Sequence, residues 1–192
     1  MRIGIYSGTF NPVHCGHVAL AEWLVRQDLV DEIWLIRSPR NPFKVNRQLL
    51  GNRERLDMLK LAVAGRQGLK ISTVEDGLPM PNYTITTLRL LRQQHPEHEF
   101  HLIIGGDNWA VFDKWREWES ILCDFHLIVY PRPGVPLEPN PARFPTVRVA
   151  AGAPLWDLSS TEIRYRVMTG KSVAGWVPDA VADYIKEKDL YR

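Results

Sequence analysis

The feature that most constrains this chain lies at its start. The apolar run Ile3-Gly4-Ile5-Tyr6 passes directly into Ser7-Gly8-Thr9-Phe10-Asn11-Pro12-Val13-His14-Cys15-Gly16-His17. An extended run, a glycine-bearing turn and then helical spacing predict a strand, a tight loop and a helix that packs back on the strand. Gly8 suits such a loop because a bare Cα permits a sharp turn and the close approach of a phosphate. The helix expected near residues 17–26 directs its N-terminal end at the same place, where unpaired amides and the macrodipole favour an anion. His14 and His17 are three apart, so they share one side of the opening turn. Each can donate a hydrogen bond to phosphate oxygens, and each can take up charge near neutral pH.

The rest of the chain repeats this alternation. Short apolar runs at 3–6, 33–36, 69–74, 100–104, 125–129 and 147–149 read as strands. Between them, 18–25, 53–63 and 84–92 carry apolar residues at helical spacing, and 178–188 reads as a closing helix. Strands alternating with helices predict an α/β, three-layer Rossmann-like fold, a parallel sheet with helices on both faces. In such a sheet the ligand sits beyond the carboxyl ends of the strands, at a switch point. The proline-rich stretch 131–145 lacks periodicity and is expected to be a loop bordering that site. The 192 residues suit a single domain, with a small C-terminal helical part from about 159.

Composition narrows the function classes. Basic and acidic side chains number 24 and 22, for a net charge of +2, which gives no case for a nucleic-acid groove or a membrane surface. Arg37, Arg40, Lys44, Arg47, Arg53 and Arg55 crowd one region and are expected to form a solvated face. The two cysteines, Cys15 and Cys123, have no Cys-x-x-Cys spacing, which argues against a disulfide scaffold or a zinc site. Cys15 is expected to be a passive thiol. Met1-Arg2 leads straight into a strand and no apolar run approaches spanning length, so a cytoplasmic protein is expected.

Three further constellations carry chemistry. In Ser159-Ser160-Thr161-Glu162-Ile163-Arg164 either serine can cap a helix with Glu162 in its first turn, so hydroxyls, amides and Arg164 converge on anionic oxygens. Ile104-Gly105-Gly106-Asp107 ends a strand with glycines that let a ligand come close and an acid able to accept ribose hydroxyls. Asn82-Tyr83-Thr84 opens a helix, with Asn82 or Thr84 as its cap, and its amides suit a carboxylate. Trp109, Trp115 and Trp118 read equally as core or as stacking platforms.

These residues in this order resemble the bacterial nicotinate-nucleotide adenylyltransferases, of the nucleotidyltransferase superfamily marked by His-x-Gly-His. The resemblance runs from residue 3 to about 164. It implies that Gly8, Thr9, Phe10, His14, His17, Gly105, Asp107 and Arg132 line the ATP site. Ser159, Ser160, Thr161 and Arg164, in a Ser-Ser-Thr-x-Ile-Arg match, would hold the triphosphate. Tyr83 and Thr84 match the pair that contacts the mononucleotide, and Trp115 the tryptophan that stacks on its pyridine ring. Arg116 beside it adds positive charge to the mononucleotide side. Lys44 matches the last residue of a Pro-His-Lys loop in which Phe43 replaces the histidine, and Ser7 stands where relatives have glycine.

The implied reaction moves the adenylyl group of ATP to nicotinate mononucleotide, giving nicotinate adenine dinucleotide and pyrophosphate for NAD synthesis. His14, His17, Lys44 and Arg164 would neutralise the transferring phosphates, and no covalent intermediate is required. Mg²⁺ is expected to arrive with ATP rather than in a dedicated cage, because no His/Cys/carboxylate cluster has ligand spacing. The rival readings are an acceptor of nicotinamide mononucleotide or phosphopantetheine, and a non-catalytic nucleotide sensor. A homo-oligomer is left open.

Overall fold

A computed structural model describes residues 1–39, 49–138 and 140–192. Six strands, β1 (Arg2–Gly8), β2 (Glu32–Arg37), β3 (Leu69–Ser72), β4 (Glu99–Gly105), β5 (His126–Tyr130) and β6 (Val147–Val149), form one sheet in the order β3-β2-β1-β4-β5-β6. Every ladder is parallel. Parallel pairing requires long crossovers, and they are supplied by α1 (Cys15–Arg26), α2 (Asn52–Val63), α3 (Thr84–Gln94), the short α4 (Gly106–Trp109) and α5 (Trp118–Asp124). Two further helices, α6 (Ser160–Met168) and α7 (Asp179–Glu187), complete the chain.

Alternation along the central strands sends side chains to both faces. Tyr6, Leu35, Ile103 and Ile128 pack with Val18, Leu20, Ala21 and Leu24 of α1, Met58 and Leu59 of α2, Ile163 of α6, and Val181 and Ile185 of α7. Ile3, Ile5, Leu102 and Ile104 pack on the other face with Ile85, Leu88 and Leu91 of α3 and Ile121 of α5. That is the expected three-layer α/β architecture. The C-terminal helices bury their apolar stripe in the same core as α1 and α2. Among the described residues, no helix is long and apolar enough to cross a membrane.

The chain leaves β1 toward β2 and β3, then returns to lay β4 on the other side of β1. The carboxyl ends of β1 and β4, Gly8 and Gly105, therefore border the point where strand order reverses, and a crevice opens there.

The expected solvated face of basic residues is not what Arg37 and Arg55 form. Arg55 is fully buried. Its guanidinium donates to the carbonyls of Thr9 at 2.7 Å, Ser38 at 2.8 Å, Pro39 at 2.9 Å and Leu50 at 3.1 Å, and to Asn52 Oδ1 at 2.6 Å. A planar fork of five donors meets loop carbonyls that have no ladder partner, which explains a cation in the interior. Arg37 is equally buried and pairs with Asp76. Arg53 is exposed as expected. Arg40, Phe43, Lys44 and Arg47 lie outside the described residues.

Candidate active site

A cleft of about 390 Å³ opens at the switch point. Its lining includes every residue singled out above for a nucleotide or mononucleotide, Lys44 apart. Residues from β1, the loop after it, α1, α3, β4, the turn around 115 and α6 all reach it.

The loop after β1 departs from expectation in one respect. The left-handed backbone is taken by Phe10, with φ of 44°, and not by Gly8. What requires glycine at position 8 is contact: a Cβ there would stand 3.1–3.3 Å from the Phe10 ring. That ring is buried edge-on between Tyr6 and His17, with centroids 5.9 and 5.1 Å away. Gly105 obeys the same rule, since a Cβ there would collide with Asp107 and stand 3.2 Å from Tyr130.

His14 and His17 stack, with ring centroids 3.5 Å apart and planes 24° from parallel. The backbone N–H of His14, the N-cap of α1, donates to His17 Nδ1 at 3.1 Å. With Nδ1 accepting, the neutral ring carries its proton on Nε2, a donor for a ligand oxygen. Burial holds His17 well below the usual histidine range, aided by His14 and Arg132. Burial, then Arg132, brings His14 down to about 3. The expectation that both take up charge near neutral pH therefore fails for the ligand-free protein. The sequence showed the residue type but not the low-dielectric stack around it.

Across the cleft, α6 begins as expected. Ser159 Oγ caps it by accepting from the Glu162 amide at 3.1 Å. Its neighbour does other work: Ser160 Oγ donates to the Pro12 carbonyl at 2.8 Å. Thr161 Oγ1 accepts from Arg164 Nη2 at 3.2 Å, and Arg164 Nη1 donates to the Asn11 carbonyl at 2.8 Å. The Ser160 hydroxyl and the Arg164 guanidinium thus tie this motif to the loop after β1, while Ser159, Ser160 and Thr161 all line the cleft. The first-turn amides of α6 and the Arg164 guanidinium are the motif's groups for an anion. Asp107 pairs with Arg132 at 3.5 Å, both partly exposed, and Tyr6 and Tyr130 place their hydroxyls 3.4 Å apart beside them.

At the other end, Tyr83 is the N-cap of α3 and makes no side-chain cap bond. Neither Asn82 nor Thr84 caps, contrary to expectation. Asn82 instead donates through Nδ2 to the Glu75 carbonyl at 3.1 Å, and Thr87 Oγ1 donates to Glu75 Oε1 at 3.1 Å. The first-turn amides are thereby left for a ligand or water. Arg116 lies over the Tyr83 ring at 4.8 Å. Trp109 is core, whereas Trp115 lines the cleft, tilted against Phe112 at 5.3 Å. Cys15 is held by its amide to the Trp176 carbonyl at 2.9 Å, and burial raises its thiol, consistent with a passive role.

Sequence reasoning missed Tyr6, Tyr130 and buried Glu75 as cleft residues. Tyr6 ends an apolar run and reads as core; Glu75 follows a strand in a short turn, Val74–Gly77, that has no apolar signal. It also missed a grouping at the other end of the sheet: the turn after α3 brings one ligand atom each of His95, Glu97 and His98 within 4.8 Å of one another, an arrangement that could hold a metal ion.

A parallel sheet in this order, with a histidine stack and a helix N-terminus facing across its switch point, defines a nucleotide-handling α/β protein. The chain belongs to the cytidylyltransferase-like family, whose pattern matches residues 5–166. It is 44% identical over 180 residues to a Bacteroides fragilis protein named a probable nicotinate-nucleotide adenylyltransferase, covering 94% of this chain and 89% of that one. A Flavobacterium johnsoniae protein of the same name is 38% identical over the full length of both. Among solved structures, the Plasmodium falciparum nicotinic acid mononucleotide adenylyltransferase complexed with NaAD superposes with a TM-score of 0.83 at 19% identity, over 99% of this chain and 97% of that one. That last likeness speaks to the fold.

Proposed function

We propose that this cleft transfers the adenylyl group of ATP to nicotinate mononucleotide, releasing pyrophosphate and forming nicotinate adenine dinucleotide. The observation that carries the reading is the meeting, in one cleft, of two phosphate-binding segments with an uncapped α3 N-terminus and Trp115. The relatives' shared name, at 36–44% identity, supports the same acceptor.

A 5′-phosphate oxygen of the mononucleotide forms a bond to the α-phosphorus as the bond from that phosphorus to the pyrophosphate oxygen breaks. The nucleophile is already an anion, so the site needs positioning and charge stabilisation rather than a base. His17 Nε2–H, His14, Arg164 and the α6 amides take the phosphates. The triphosphate's own charge raises the pKa of the neutral histidine pair as it docks. Lys44 is assigned to the same phosphates by the family resemblance. Gly8, Thr9 and Phe10 form the floor under ATP, with Gly105, Asp107 and Arg132 along its side.

Magnesium fits this donor set as a partner of the nucleotide. Asp107 is the exposed carboxylate in the lining, and Glu75 is engaged with Thr87, which suits an ion that keeps several waters and binds mainly through phosphates. When bound, it supplies charge neutralisation at the departing pyrophosphate.

Preference for the acid follows from the α3 end. Tyr83 and Thr84 amides and Arg116 are donors, matched by a carboxylate; a nicotinamide NH₂ would face them with hydrogens of its own, and each donor that the bound mononucleotide shuts off from water without a partner costs about 1–3 kcal/mol. Pyrophosphate release from ATP with each mononucleotide tests both claims. The expected kcat/KM for the nicotinate form is at least ~100-fold the higher. Equal or reversed ratios would remove the acid-specific reading, and no release with either would leave a nucleotide sensor.

A further inference from the structure

The end of the sheet opposite the cleft carries a constellation that the adenylyl transfer does not use. α3 stops at Gln94, and His95-Pro96-Glu97-His98 turns the chain into β4 at Glu99. The His98 amide donates to the His95 carbonyl at 3.1 Å and closes the turn. This brings His95 Nδ1 to 3.7 Å and His98 Nε2 to 3.3 Å from one atom, Glu97 Oε1. All three ligand atoms lie within 4.8 Å of one another. The two rings are near parallel, 10° apart with centroids separated by 5.8 Å. Trp34 packs edgewise against both, at 5.1 and 6.0 Å, and its Nε1 is anchored to Glu32 Oε2 at 3.2 Å.

We infer that His95, Glu97 and His98 form a Zn²⁺ site that staples the end of α3 to the start of β4. A tetrahedral ion with bonds of about 2.0–2.1 Å spaces its ligand atoms roughly 3.3 Å apart. The 3.3 and 3.7 Å separations match two of those edges, and the third pair of ligand atoms lies within 4.8 Å, so the site closes by rotating the two imidazoles toward each other. Two imidazoles and one carboxylate are a donor set for Zn²⁺ and not for Mg²⁺, which takes oxygens in octahedral geometry. Three protein ligands leave the fourth position to water. Trp34 restrains both rings, which lowers the entropy lost when the ion binds.

The test is calorimetric titration of chelator-stripped protein with Zn²⁺. One ion per chain is expected, with binding weakened at least tenfold in His98→Ala and in Glu97→Gln. Glu97 is exposed, so Glu97→Gln keeps the parent's metal-free melting temperature and guards against a folding artefact. Zn²⁺ at a hundredfold excess over the parent's Kd is expected to raise the parent's melting temperature by roughly 5–10 °C and that of Glu97→Gln by about half as much or less. The competing pair is His101 and His126, which lie 2.6 and 3.6 Å from Glu99 Oε1. Absence of stoichiometric binding, unchanged binding in Glu97→Gln, or loss in His126→Ala instead, overturns the assignment.

Discussion

The chain's six histidines are divided between the two ends of one sheet, and the two ends give them different charged neighbours. At the carboxyl end His14 and His17 are buried in a stack whose charged neighbour is Arg132, and they are driven neutral. At the amino end His95, His98, His101 and His126 sit within 4 Å of Glu97 or Glu99. A carboxylate beside the cleft pair would compensate its charge in advance and repel an incoming triphosphate. None is paired with it among the described residues, so on the proposed function the ligand is the anion that completes the pair. The same residue type thus lines a cleft beside an arginine at one end and sits beside carboxylates at the other. Context, not identity, sets the difference.

The sharpest way to break this comparison is at His17. If its Nε2–H meets the transferring phosphate, His17→Ala lowers kcat by about 10²–10⁴-fold, the range for loss of one such group. The corresponding change at the opposite end, His126→Ala, leaves kcat within twofold. Steady-state rates together with melting curves decide it. Turnover within twofold of the parent in His17→Ala would refute the role.

A smaller effect separates the two ends of the cleft itself. Stacking on an aromatic ring contributes roughly 1–3 kcal/mol, so Trp115→Ala is expected to weaken the mononucleotide by about 5- to 150-fold and ATP by less than threefold. Titration of each ligand checks this. Equal losses, or a drop in melting temperature alone, would return Trp115 to the core with Trp109.

The smallest effect concerns stability against pH. His14 takes a proton at about 6.5 when unfolded and only at about 3 when folded. Its contribution to stability is therefore complete above about 6.5 and is lost as pH falls toward 3. His14→Gln is expected to flatten that acid limb by up to ~1.4 kcal/mol per pH unit, the most that one proton can carry. Denaturant melts between pH 4 and 7 measure the slope, and an unchanged slope would mean that His14 is solvated in the folded state.

The order of elements was legible because hydrophobic period is a local property. Strands at 3–6 and 100–104 and helices at 53–63 and 84–92 agree with the structure to within a few residues. Exceptions were local too: β3 stops at Ser72, two residues before the expected end, where the chain turns into Val74–Gly77. The short helices α4 and α5 fall in stretches too brief to show a period. The site was legible in its residue types. His14, His17, Asp107, Trp115 and Arg164 line one cleft because the parallel topology brings the ends of β1 and β4 together, as the alternation predicted.

What the sequence alone determined is therefore the α/β architecture, the family and most of the cleft's lining, Tyr6, Tyr130 and Glu75 apart. Tertiary structure decided how those residues are employed. It turned Arg55 from an expected surface charge into an internal anchor for the Thr9 and Ser38 carbonyls. It assigned the Ser160 hydroxyl to Pro12, and it made the histidine pair neutral. Burial and donor–acceptor pairing are set by groups tens to more than a hundred residues away along the chain. Periodicity and short motifs carry no record of those distances.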